Sequence, residues 1–191
     1  MKHTVSQELY AYWDSRRGYR AAPERSDIEP GAIRQILSDS FILAAGNSGD
    51  GCPFRLAGTR VCALFGRELK GQSFIGLWDS ASRRTVTDLV TFLVDESVGT
   101  VAGVTAKNGD GDEVELELLL LPLGARRPAF ARAIGTLVPL NPLARFGLSP
   151  IGELTLGSRR HLGAATTSRF MPRFIAGRAR RGLIVYDGGR G

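Results

Sequence analysis

Apolar residues recur at helical spacing near the start of the chain. Val5, Leu9, Tyr12 and Trp13, with Arg16 closing the row, make one stripe over residues 4 to 17. That spacing predicts an amphipathic N-terminal helix. Thr4 and Gln7 have capping-box spacing, so the Thr4 hydroxyl is expected to cap it, and Gly18 to end it. Residues 19 to 30 carry Pro23 and Pro30 and read as a linker. A short helix over residues 31 to 37 is expected next.

Short apolar runs then alternate with turn signals. Residues 41 to 45 predict a strand that stops at Gly46-Asn47-Ser48-Gly49-Asp50-Gly51, a turn sequence, and residues 54 to 57 predict the returning strand. Thr59 stands where it can cap a short helix whose Val61, Leu64 and Phe65 face inward. Ser80 stands where it can cap a longer one, with Val86, Leu89, Val90, Leu93 and Val94 on one side.

Beyond residue 97 the period changes to two. Val98, Thr100, Ala102, Val104 and Ala106 alternate with Gly99, Val101, Gly103 and Thr105. Asn108-Gly109-Asp110-Gly111 predicts a tight turn, because Asn-Gly and Asp-Gly accept the positive φ it needs. In the partner strand, residues 112 to 121, Val114, Leu116, Leu118 and Leu120 share one face. Glu113, Glu115 and Glu117 share the other, which Leu119 and Leu121 continue. A further strand is expected over residues 128 to 138. This order predicts an α+β fold: a five-stranded antiparallel sheet with helices on one face. It divides the chain into an N-terminal helix and linker (1–30), a core (31–140) and a C-terminal extension (141–191).

Charge changes the picture of that extension. The 191 residues carry a net charge of +6. After Glu153 come eight arginines and one acid, Asp187, which is +7; residues 1 to 153 hold 17 basic and 18 acidic residues, which is −1. A near-neutral body with a basic tail points to an anionic partner for the tail. No apolar run reaches the roughly 18 residues of a membrane span, and the first residues hold no apolar signal core, so the cytoplasm is the expected location. Two cysteines, Cys52 and Cys62, do not make a disulfide framework.

Specific residues carry a resemblance. They are Tyr12-Trp13, Phe54-Arg55-Leu56-Ala57-Gly58-Thr59, Phe65-Gly66-Arg67-Glu68-Leu69, Gly71-Gln72-Ser73-Phe74, Trp78 and Leu120-Leu121-Pro122-Leu123. Over roughly residues 8 to 140 the chain resembles the PAS fold, and more closely a family of standalone bacterial PAS-like proteins. The resemblance implies a sensory or protein-interaction module for signal transduction, with no catalytic residues and no single ligand carried over. With no output domain in this sequence, its signal is expected to pass to another signalling protein, and a homodimer is the expected assembly.

The residues bear on cofactors directly. A haem-binding core of this kind needs an axial ligand, most often His. His3 and His161 are expected outside the core, so haem is not expected. An adduct-forming flavin domain carries Cys within Asn-Cys-Arg-Phe-Leu. Cys62 lies in Arg60-Val61-Cys62-Ala63-Leu64, which reads instead as a small buried side chain on a helix. No cofactor is evident, and an unidentified small ligand stays open. Without a core His, a Ser-His-Asp or Cys-His site lacks its usual base, so no enzyme is expected. Residues 46 to 51 lack the Lys-Ser/Thr ending of a phosphate loop. Asn108, Asp110 and Asp112 begin like a calcium loop, but Glu113 stands where Gly is needed and Leu119 where the bidentate Glu is needed. No metal site is expected.

Three groups of side chains remain. Phe65, Leu69, Phe74 and Trp78 form either ordinary core or the wall of a small-ligand pocket, with Arg67 and Gln72 as its polar contacts. Leu9, Tyr12 and Trp13 are expected to cover Leu119 and Leu121, unless a second subunit does. The acidic row Glu113, Glu115 and Glu117 reads as a solvated sheet face. In the tail, Arg169, Arg173, Arg178, Arg180 and Arg181 are interleaved with Phe170, Met171, Phe174 and Ile175. That mixture suits an arm docked on the sheet, an acidic protein or membrane surface, or nucleic acid.

Overall fold

The alternating stretch beyond Val98 forms the middle of one antiparallel sheet. The computed structural model describes residues 1–46, 51–124, 131–141 and 149–162. In it, β3 (Gly99–Asn108) and β4 (Glu113–Leu123) pair from Thr100 opposite Leu120 to Lys107 opposite Glu113. At their turn the Asn108 side-chain oxygen accepts from the amides of Asp110 and Asp112. Gly111 adopts a φ of 88° there, a conformation only glycine takes cheaply.

Around this hairpin lie β1 (Ser40–Ala44), β2 (Phe54–Ala57), β5 (Arg132–Pro139) and β6 (Ile151–Leu162). The order across the sheet is β2-β1-β5-β4-β3-β6. Gly135 on β5 lies opposite Phe41; a Cβ there would sit 2.3 Å from the Leu119 carbonyl oxygen and 2.6 Å from Phe41 Cζ. The close packing of β1, β5 and β4 therefore requires glycine at that position.

The sixth strand corrects the expected count of five. β6 runs along β3 from Gly99 opposite Leu162 to Asn108 opposite Ile151, with two register shifts. Its residues fall inside the stretch that charge groups with the basic extension. An edge strand with one solvated face needs few apolar side chains, and here only Ile151 and Leu154 are fully buried.

Both faces of the sheet are covered. α2 (Thr59–Leu64) and α3 (Ser80–Glu96) pack on the inner face, over Phe41, Leu43, Val104, Leu116, Leu118 and Leu120. α1 (Thr4–Arg17) and 3-10 turns at Pro30–Ile33 and Leu37–Asp39 pack on the outer face, over Ile42, Val101, Leu119, Leu121 and Ile134. These turns replace the single short helix expected over residues 31 to 37. Among the described residues, no helix is long and apolar enough to cross a membrane.

The helix caps differ from those expected by one residue. His3, not Thr4, caps α1: its Nδ1 accepts from the Val5 amide, while Gln7 reaches the Met1 carbonyl. Asp79, not Ser80, caps α3 through the Ser82 amide. Gly58 stands at the start of α2 with no side-chain cap. An ionised carboxylate at a helix N-terminus also meets the positive end of the dipole, which favours Asp79 over a neutral serine there.

Candidate functional site: the two faces of the sheet

On the inner face the aromatic residues meet. The Phe74 ring lies 5.9 Å from Phe41, 5.8 Å from Phe54 and 5.7 Å from Trp78, centroid to centroid. The Phe54 and Trp78 contacts have the edge-to-face geometry that aromatic quadrupoles favour. Of the sequence-derived pocket residues, Phe65, Leu69, Phe74 and Trp78 are buried here. Arg67 and Gln72 are exposed, so the structure does not bring them to the other four.

Trp78 is wholly buried, and its indole Nε1 has no hydrogen-bond partner among the described residues. A buried donor left without an acceptor costs about 1–3 kcal/mol. The segment that holds it is fastened to β6. Trp78 bridges to Leu154, and the Asp79 amide donates to the Leu154 carbonyl. Asp79 also accepts from the Thr155 hydroxyl at 2.5 Å, and Ser82 Oγ accepts from the Leu156 amide at 2.9 Å. The bonds from Thr155 and Ser82 hold the Asp79 carboxyl below its ordinary range. The strand that sequence reading missed is thus the wall beside Trp78.

Both cysteines lie toward this face. Cys52 is fully buried, and burial pushes its thiol up to about 11. Cys62 is half-buried on α2, where its Sγ donates to Glu68 at 3.6 Å. At the margin, the His161 ring on β6 lies tilted against Phe92 at 4.8 Å, centroid to centroid, and bonds Thr100. It therefore packs against the sheet, where the sequence left it outside the core.

The outer face holds the other candidates. Leu9 and Trp13 of α1 are buried against Leu119 and Leu121, and Trp13 Nε1 donates to the Pro122 carbonyl at 2.7 Å. Tyr12 is half-buried; its hydroxyl accepts from the Glu29 amide at 2.9 Å. Glu113 and Glu115 are exposed, but Glu117 is buried, which corrects its reading as part of a solvated row. Its two oxygens accept from the amides of Lys2 and His3, at the N-terminus of α1. Arg169, Arg173, Arg178, Arg180 and Arg181 lie outside the described residues.

Sequence reading also missed a groove beside this layer. It has a volume of about 360 Å³, and Ile28, Ile33, Leu37, Ile42, Leu56 and Ile134 are among the residues that line it. Half of these fall in the stretch whose prolines read as linker and short helix. The available signal was the density of Ile and Leu between residues 28 and 37, too apolar for a solvated linker.

An antiparallel sheet in this order, with two helices against one face and a third covering the other, defines an α+β domain of the PAS type. Residues 1–138 match the family model described as PAS domain, and the chain belongs to that family. Solved structures are similar over part of the chain. The LOV protein of Rhodobacter sphaeroides is 13% identical, with 56% of this chain and 61% of that chain covered and a TM-score of 0.43. The PAS domain of an HTR-like protein from Haloarcula marismortui is 19% identical, with 58% and 90% covered and a TM-score of 0.42. The PAS domain of Bordetella pertussis BvgS is 14% identical, with 60% and 88% covered and a TM-score of 0.39. The chain spans less than two thirds of the Rhodobacter protein. No curated protein matches it.

Proposed function

We propose that the chain is a non-catalytic sensory and signalling module of the cytoplasm, which holds a small apolar ligand in its inner core and acts by contact with another signalling protein. Membership of the PAS domain family supports a sensory role. The observation that carries the ligand is the Trp78 indole, buried with its donor unmet. A ligand with one acceptor atom, set among Phe65, Leu69 and Phe74, satisfies that donor and keeps the apolar contacts. Arg67 and Gln72 are exposed and take no part in this reading. The signalling partner is expected on the outer side, where Leu9 and Trp13 of α1 already cover Leu119 and Leu121, so a partner or second copy reaches those two leucines only by displacing α1.

Native mass spectrometry with an absorbance spectrum, on freshly purified protein, tests the ligand. We expect a co-purified small molecule that is lost from Trp78→Phe while the fold persists. Protein with nothing bound, whose Trp78→Phe variant gains stability from losing an unmet donor, overturns the ligand. The module would then act by interaction alone. A second reading rests on the charge split: an adaptor that meets a membrane surface or nucleic acid through Arg169, Arg173, Arg178, Arg180 and Arg181.

A further inference from the structure

The groove on the outer face is lined by branched aliphatic side chains from three sources. Ile28, Pro30, Ile33 and Leu37 come from the segment after α1, Ile42 and Ile134 from the sheet, and Leu56 from the edge strand β2. Leu56 is 43% exposed, so its side chain forms part of the open rim of the groove.

The polar groups of the wall are mostly committed. Ser38 donates to Asp39 and Ser40 to the Ile36 carbonyl. The carboxylates of this segment are committed too: Asp27 pairs with Arg20, Glu29 with Arg16, and Asp39 with Arg60. Arg25 is the lining cation, and no carboxylate pairs with it among the described residues. One of its nitrogens donates to the Ile28 carbonyl at 3.2 Å, which fixes the guanidinium and leaves its other N–H groups for a guest. An apolar trough with one held, unpaired guanidinium complements a molecule with an apolar body and an anionic end.

We propose that this groove binds a free aliphatic carboxylate of medium chain length, its chain over Ile33, Ile42 and Leu56 and its head group on Arg25. The site lies on the opposite face of the sheet from Trp78 and is independent of the ligand proposed there. Its volume falls at the lower end of the range for small-molecule sites, roughly 300–1,000 Å³, and suits a short flexible chain better than a protein surface. The chain's own tail, rich in arginine, shares the charge of Arg25 and is disfavoured.

Titration of the full-length protein with decanoate, followed by calorimetry and by amide chemical shifts, tests this. We expect saturable binding, with shifts at Ile28, Ile33, Leu56 and Ile134. Arg25→Met should weaken it by about tenfold, the loss of a charge-assisted contact, and decylamine should bind far more weakly than decanoate. Leu56→Glu, at an exposed position where the fold tolerates charge, should abolish it. Thermal melts of both variants should match the parent. No decanoate binding, binding unchanged in both variants, or shifts centred on Trp78 and Phe74 overturn the proposal. So does a dimer that decanoate splits into monomers, which would give the groove to a second copy.

Discussion

Glu117 stands alone among leucines on the outer face, and its burial is tolerable because two backbone amides arrive to meet it. An ionised carboxylate that keeps both oxygens bonded is stabilised, whereas the same group left unmet would be costly. It also lies at the N-terminus of α1, where negative charge is favoured. Glu117→Ala leaves the Lys2 and His3 amides without their partner. We expect a loss of about 1.5–3 kcal/mol in urea unfolding, the range for hydrogen bonds to a charged group, with amide exchange in α1 accelerated more than in α3. Loss of the same size but equal protection in both helices would mean that Glu117 does not hold α1. Sequence periodicity alone misplaces this residue. Its alternation matches Glu113 and Glu115, and only the arrival of a helix from more than 100 residues away makes it different.

Among the elements, β6 is the least legible in the sequence and α3 the most. The run Val86, Leu89, Val90, Leu93 shows helical spacing without help from elsewhere, and all four are buried. The β3–β4 hairpin was equally plain, because its turn residues and its alternation agree. β6 holds Gly152, Gly157, Ser158 and two arginines, and register shifts break its period. Tertiary pairing with β3 makes it a strand, and no local pattern reports that. Of the inner aromatic cluster, Phe74 and Trp78 were legible together, but their contacts with Phe41 and Phe54 and the orphaned Trp78 donor were not, since these depend on what the fold brings around each ring. Burial, and then Arg159, hold the His161 imidazole below its ordinary range. Its folded value is thus depressed relative to the unfolded chain. The stability it contributes is complete above about pH 6.5 and is lost as pH falls through the folded value. We expect amide protection over residues 159 to 162 to fall on acidification, and His161→Phe, which keeps a ring against Phe92, to flatten that dependence. A profile identical in the variant would remove His161 as the cause.

At the scale of the whole molecule, the sheet separates two apolar layers, and the charge is separated along the chain. The body to Glu153 carries −1 and the remainder +7. If the tail meets phosphate groups, on lipid or nucleic acid, its binding must weaken steeply with salt as the entropy gained by releasing counterions shrinks. We expect affinity for anionic vesicles or duplex DNA to fall by an order of magnitude or more between low and physiological salt. An affinity indifferent to ionic strength, or none, sets the tail reading aside. The outer layer has a further consequence, in time. α1 is made long before its anchors, which lie far downstream: Trp13 bonds Pro122, Ser6 bonds Thr136, and Lys2 bonds Glu117, at separations of 109, 130 and 115 residues. During synthesis at about 5–20 residues per second, the helix must wait for most of the chain to emerge before it has anywhere to dock. Until then Leu9 and Trp13 stay bare, and the nascent protein passes through a period in which a finished helix carries an uncovered apolar stripe.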